Sequence, residues 1–413
     1  MSTMVEDPRL VATRGGLRGL VSLGVRRLRE GELGPLPVIF GLVLIALIFQ
    51  SQNSNFLTAR NLTNLFQQAS AVGVISVGLV LVLLLGEIDL SVGSVSGFTA
   101  AIMAVLNVEH GVRGPIAVLA AILSGTLIGL FFGLMRTKVG VPSFIVTLAG
   151  ITGFTGAQLY ILGSSGTINI SDSFITDLMN RLLPVWLGWT LAIGLIALYA
   201  VGLVLGRGRR MAAGLTVEPI AVMVVRLIVL AVPVLVMVAI MNSNRGVAVP
   251  VQGVPEGVAI FLGFVVVFDL ITRRTRFGRH VYAVGGNEEA ARRAGTNVDR
   301  VRIAVFMTSS SMAACGGVLA ASYLYAVNQS SGGSDTLLNA IAAVVIGGTS
   351  LFGGRGSVWS ALLGALVIYS IANGMDLLAY SSSVKFMVTG GVLLAAVTID
   401  AISRRGRAAA GRV

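Results

Sequence analysis

Apolar runs alternate with short polar stretches along almost the whole chain, and most of the runs approach the ~20 residues that a helix needs to cross a bilayer. They fall at 35–50, 65–85, 92–106, 115–135, 142–162, 184–205, 220–241, 254–271, 303–326, 337–347, 357–378 and 385–402. The pattern predicts an all-α, polytopic membrane protein. The runs at 92–106 and 337–347 are short for a hydrocarbon layer of about 30 Å, so some segments are expected to be half-helices or re-entrant, giving about 10–12 crossings or re-entries. The first run has no small-residue cleavage site after it and reads as an uncleaved anchor.

Composition agrees with this pattern and narrows the function classes. Hydrophobic residues make up 55% of the 413 and charged residues 12%, with a mean hydropathy of +0.89, a balance foreign to a soluble domain of this size. The longest polar stretches are 1–34 and 273–302, which leaves little room for an independent catalytic domain. The expected organisation is a basic N-terminal segment at 1–34, a transmembrane domain at 35–402 containing a polar loop at 273–302, and a basic tail at 403–413.

The net charge of +12 is informative through its placement. Arginine-rich clusters lie at 9–29, around Arg136 and Lys138, at Arg207, Arg209 and Arg210, at 273–302 and at 404–412, and all fall on one side of the predicted topology. The positive-inside rule makes that side, and both termini, cytoplasmic. A membrane topology signal accounts for the charge without any nucleic-acid partner.

Catalytic constellations are scarce. Cys315 is the single cysteine and lies inside an apolar run, and His110 and His280 fall in predicted loops, so neither a disulfide, a cysteine-based metal site nor a histidine cluster is expected. Neither Lys138 nor Lys385 follows the spacing of a phosphate-cradling loop, so any ATP used would be hydrolysed on another chain. No metal site is expected here.

Glu87 and Asp89, in Gly86-Glu87-Ile88-Asp89-Leu90-Ser91-Val92-Gly93, interrupt an otherwise uncharged stretch at 62–108. A charge at bilayer depth costs about 2.5–3.5 kcal/mol even on lenient scales, so it usually serves a pathway, a cap or a partner. The segment at 86–95 resembles that at 347–358 in carrying glycines and closing on Gly-Ser-Val, and each joins an inward to an outward run. Such helix–break–helix units often flank a substrate route. Asp89 and Ser91 are placed either to cap the next helix or to meet cargo, with Glu87 the better candidate for a lumen. Gln158, Arg226, Asp269, Asn339, Asn373 and Asp376 are further polar residues at apolar depth, suited to lining a passage or to interhelical hydrogen bonds.

Within 273–302, Asn287-Glu288-Glu289-Ala290-Ala291-Arg292-Arg293-Ala294-Gly295 spells a short helix. Asn287 caps it, Glu288 and Glu289 occupy the first turn, Arg292 and Arg293 the last, and Gly295 ends it. Glu288–Arg292 and Glu289–Arg293 have the i,i+4 spacing of stabilising pairs. The helix carries no evident apolar face for its own chain, which suits docking into a partner's groove.

Four ordered motifs carry a family resemblance: the Gly86–Ser94 segment with Glu87 and Asp89; Val141-Pro142-Ser143-Phe144-Ile145-Val146-Thr147-Leu148; Gly285-Gly286-Asn287-Glu288-Glu289-Ala290-Ala291-Arg292 with the following Ala294-Gly295-Thr296-Asn297-Val298; and Gly347-Gly348-Thr349-Ser350-Leu351-Phe352-Gly353-Gly354. Over 55–402 the chain resembles the ribose/xylose/arabinose branch of ATP-binding cassette importer permeases. Glu87, where ribose-type relatives commonly carry glycine, and the additional helix at 220–241 look like the xylose type. The resemblance implies a homodimer in the bacterial inner membrane, a periplasmic sugar-binding protein outside and a double-cassette ATPase, with its ATP and Mg, inside. It implies that 287–295 is the coupling helix entering the ATPase and that the cargo is a monosaccharide, D-xylose above all; the residues at the breaks and at apolar depth expected to line its passage are Glu87, Asp89, Ser91, Asn339 and Thr349. An ion-coupled carrier with Glu87 and Asp89 titrating is the rival reading.

Overall fold

Each of the twelve apolar runs becomes a helix in the computed structural model, which describes residues 36–215, 217 and 219–409. The basic segment at 1–34 and residues 410–413 lie outside the described residues, and so do the tail's arginine side chains. In chain order the apolar helices are α1 (Leu36–Gln52), α2 (Ala59–Leu84), α3 (Val92–Ala104), α4 (Gly114–Leu134), α5 (Ser143–Leu162), then, after a short α6 (Ser173–Asn180), α7 (Val185–Ala212), α8 (Ile220–Asn242) and α9 (Glu256–Arg274). Two short helices follow, α10 (Arg276–Gly286) and α11 (Glu288–Arg293), before α12 (Val298–Leu324), α13 (Ser334–Ile346), α14 (Trp359–Leu377) and α15 (Ser382–Ala409). Strands β1 (Thr167–Asn169) and β2 (Ala326–Asn328) pair antiparallel, Ile168 opposite Val327.

Among the described residues eight helices are long and apolar enough to cross a membrane: α2, α3, α4, α5, α7, α8, α12 and α14. α1, α13 and the apolar part of α15 are shorter, and α9 carries Glu256, Asp269, Arg273 and Arg274. The short run at 92–106 is corrected by the structure: π-helical turns continue α3 to Glu109, giving a span of 18 residues. α13 does stop at 13 residues. Proline marks several helix starts, with Pro142, Pro184, Pro219 and Pro255 immediately preceding α5, α7, α8 and α9, where a missing N–H costs nothing.

The helices divide into two compact units, 182–254 and 36–181 with 255–409. The first is the α7–α8 hairpin, closed by Leu183 N donating to Val254 O and Gly253 N to Met241 O. In the second, α2 is the axis, buried on every side from Ala69 to Leu85. α4 packs on α12 through Ala117, Ala121, Gly125, Gly129 and Gly133, small buried residues spaced every four positions. A Cβ on Gly125 would meet Ser310 O at 2.6 Å, and one on Gly133 would meet Ile303 Cα at 2.8 Å, so the two backbones are in near contact. In lipid, where apolar side chains gain little by leaving the hydrocarbon, such close backbone approach is the main source of helix association.

The segment between α2 and α3 is extended and climbs into the bundle. Asp89 reaches Ser309, eleven residues into α12 and so about 16 Å from its start at 1.5 Å per residue. α3 therefore begins at mid-depth. The loop after β2 returns beside it, Gly332 O lying 2.8 Å from where a Cβ of Gly93 would stand, and α13 starts there. Gln158 holds this loop by donating to Asn328 O (2.9 Å) and Ser331 O (3.0 Å). α3 and α13 thus begin near one another inside the bundle.

Candidate functional site

Three of the glycine-rich motifs, far apart in sequence, meet at the end of α2. Leu84 O accepts from Gly354 N at 2.9 Å, and Gly285 of α10 packs directly against the same carbonyl. Any side chain at 285 would strike Leu84 O, which explains glycine at this position. Tyr282 adds a second tie, its hydroxyl donating to Gly356 O at 2.9 Å. Burial pushes the Tyr282 hydroxyl above its ordinary titration range, which keeps it a neutral donor.

α10 corrects the expectation of a single helix between residues 273 and 302, and it places His280 on a helix, exposed, instead of in a loop. Thr275 caps it by accepting from Gly278 N, and Val281 and Val284 are the apolar positions that seat it. α11 follows with the anticipated architecture. Asn287 Oδ1 accepts from Ala290 N at 2.9 Å, Glu288 pairs with Arg292 at 2.9 Å and Glu289 with Arg293 at 3.0 Å, and Gly295 closes the helix at φ 84°. Ala294 continues the last turn through its N–H to Ala290 O. One detail differs: α11 does bury a face in its own chain, since Ala291 is enclosed and Glu288 turns inward.

Glu288 joins a chain of charges. Arg302, in the second turn of α12 and 9% exposed, donates from Nη1 to Glu288 Oε1 (3.0 Å) and from Nη2 to Oε2 (2.7 Å). Its Nε lies 2.8 Å from Glu87 Oε1, a charge contact without hydrogen-bond alignment. Arg136, at the end of α4, donates to the same Glu87 oxygen at 2.9 Å. Glu87 is therefore clamped by two guanidiniums at the basic end of the bundle. The Arg302 hydrogen bonds hold the Glu288 carboxyl below its ordinary value, against the opposing effect of partial burial. A recess of about 230 Å³, lined by Gly86, Glu87, Ile88, Arg136, Pro142, Ser143 and Phe144, opens beside the clamp.

The remaining expected passage residues scatter. Asp89 is fully enclosed, its oxygens taken by Ser91 N (2.9 Å), Ser91 Oγ (2.6 Å) and Ser309 Oγ (3.2 Å). Of the two sequence alternatives the capping one is not met: Asp89 makes an Asx-type turn onto Ser91 instead of capping α3, whose Ser91 side chain makes no cap bond either. Ser91 and Thr349 are buried as well, and Thr349 Oγ1 has no hydrogen-bond partner. Asn339 is half-buried on α13. Of the other polar candidates, Asn373 bonds Asn61 at 2.7 Å across α14 and α2, Asp376 pairs with Lys385, Asp269 pairs with Arg273, and Arg226 lies on an exposed face of α8. Most are structural cross-links.

Sequence reasoning took Arg136 and Arg302 as topology markers and missed their role as partners. The signal was there: a buried glutamate beside a basic loop calls for a cation, and these two arginines flank the helices that end at its level. Among the described residues, no group of three or more histidine, cysteine or carboxylate side chains is arranged to hold a metal.

Comparison with known proteins places this arrangement. Residues 61–397 match the family described as branched-chain amino acid transport system / permease component. The chain is 36% identical over 397 residues to the xylose transport system permease protein XylH of Escherichia coli K12, covering 96% of each chain. It is 34% identical to XylH of Haemophilus influenzae, over 88% of this chain and 94% of the relative, and 30% identical to the ribose import permease protein RbsC of Bacillus subtilis, over 90% and 94%. No solved structure matches.

Proposed function

The chain belongs to the permease-component family of transport systems, in its ATP-binding cassette sugar branch, and on that premise we propose that it carries a pentose, D-xylose first, across the bacterial inner membrane. The observation that carries the substrate is the end-to-end similarity to two xylose permeases. Sugar reaches the chain from a periplasmic binding protein. ATP and Mg are used by a separate ATPase, and this chain is no enzyme itself. Two copies form the working unit within the lipid. The arginine distribution supports a cytoplasmic side for the basic loops and both termini.

On this reading α11 enters the ATPase and α10 holds it against the ends of α2 and the 347–356 loop. Alternating access arises when ATPase and binding protein each prefer a different state of the gate, since a partner indifferent to state shifts nothing. Glu87, Asp89, Ser91, Asn339 and Thr349 border the route that opens when the two breaks part. In the described state the Glu87 and Asp89 segment is closed, which suits a resting gate. Reconstitution tests the reading: uptake of labelled xylose into liposomes requires this chain, the ATPase with MgATP and the binding protein together. Uptake by the chain alone on a proton or sodium gradient would instead establish the ion-coupled carrier.

A further inference from the structure

We propose that Arg302 is the positioning residue that transmits movement of α11 to the Gly86–Ser91 break, an inference that rests on α11 being the docking helix. Arg302 touches both elements: two nitrogens engage Glu288 on α11, and the third nitrogen faces Glu87 on the break. It stands on α12, a helix that packs on α2, α3 and α4, so the guanidinium projects from the rigid part of the bundle.

The two contacts are of different kinds. Toward Glu288 the guanidinium makes a two-pronged, charge-assisted hydrogen-bonded fork, the strongest geometry available to it. Toward Glu87 it makes a short charge contact without alignment, and Glu87 keeps Arg136 as a second cation. A shift of α11 therefore carries the guanidinium with it and releases Glu87 first, which leaves that carboxylate to Arg136 alone.

Release matters because Glu87 lies only two residues before a fixed point. Asp89 is held to Ser91 and Ser309 by hydrogen bonds in a sealed pocket, and the extended segment between is too short to absorb displacement at Glu87 without disturbing that anchor. The same α11–α10 unit is tied to the second break through Tyr282 and Gly356, so one movement reaches both breaks. A buried ion pair adds little net stability, but loss of one member is costly, so the release of Glu87 from Arg302 is felt at the break even while Arg136 remains. Glu289 and Arg293, whose pair is largely exposed, take no part in it.

The test compares Arg302→Met, Arg302→Lys and Glu288→Gln with the parent chain, each reconstituted with its ATPase, MgATP and the xylose-binding protein, reading xylose uptake and ATP hydrolysis separately. Arg302→Met is expected to lower sugar moved per ATP about tenfold while hydrolysis continues, an allosteric coupling of ordinary size. Arg302→Lys, which keeps the charge but cannot fork, falls between. Glu288→Gln changes a half-buried side chain without altering its shape, so it keeps the protein folded, and it lowers the same ratio; combined with Arg302→Met it adds nothing further, because the two act through one contact. An unchanged ratio in Arg302→Met or Glu288→Gln, parallel loss of uptake and hydrolysis in the folded variants, or additive losses in the double variant would overturn the proposal. A parent chain that fails to couple to the ATPase at all would overturn the functional reading instead, and the two failures are separate.

Discussion

α8 is the most apolar of the eight candidate spans and the least enclosed, with 6% of its span buried, whereas α2 is less apolar and 89% buried. In a water-soluble protein the order would be reversed. Lipid removes the driving force, because moving valine or leucine from acyl chains to protein gains almost nothing. α8 is built from isoleucine, valine, leucine and methionine, which suit lipid. α2 interleaves Asn61, Ser70, Gly73, Ser76 and Gly78, residues that permit close approach or hydrogen bonding. Hydropathy thus reports which segments span, and small or polar residues report which of them touch.

The sharpest way to break this contrast is to enlarge a contact position. A leucine at Gly129 would drive into Phe306 O and into Met307 Cα, 2.6 Å from the first added carbon, and overpacking of that severity costs about 3 kcal/mol or more. Gly129→Leu is expected to abolish the folded peak in size-exclusion chromatography of the detergent-purified chain. Survival with normal thermal stability would show that α4 and α12 are not held by near contact.

Next in size is Glu87→Gln. It leaves Arg136 and Arg302 facing each other without their shared carboxylate, at a cost of about 2 kcal/mol, less than for a fully buried pair because Arg136 is partly solvated. Thermal unfolding in detergent should show a clear downward shift, and an unchanged midpoint would mean the clamp carries no charge interaction.

A smaller effect lies in pH. The Glu288 carboxyl, held below its ordinary value of 4.5 by Arg302, with Arg292 and Arg136 reinforcing, contributes stability that is complete above 4.5 and lost as pH falls through its lower folded value. The stability difference between the parent chain and Glu288→Gln should accordingly stay constant from neutral pH down to about 4.5 and shrink only below it. A difference that vanishes near pH 6 would contradict the fork.

The smallest effect is expected in the exposed hairpin. Gly202 of α7 has open space where a side chain would stand, so Gly202→Leu should change stability by less than about 0.5 kcal/mol. A large loss there would mean that α7 has a tight partner in the membrane.

Much of this fold was legible because each apolar run is continuous and bounded by proline, glycine or arginine; α8 and α14 needed nothing more. α11 was legible for a local reason, as its cap, pairs and stop lie within nine residues. α10 was not, since Gly278, Gly285 and Gly286 weaken its helical signal and its buried Val281 and Val284 find their surface only in the folded bundle. The small-residue stripe from Ala117 to Gly133 was visible as spacing, but it gains meaning only beside α12. Asp89 and Glu87 show the limit most plainly. Their cost at bilayer depth was readable; that one is sealed by serines and the other clamped by arginines from two distant helices depends on three-dimensional proximity.

The central claim is that this chain is a gate driven by a separate ATPase through α11 and α10. It is tested most directly by measuring xylose accumulation in liposomes containing the purified chain, with the ATPase and binding protein added or withheld. Accumulation only when MgATP and both partners are present is the predicted result. Accumulation by the chain alone, driven by an ion gradient, would contradict it.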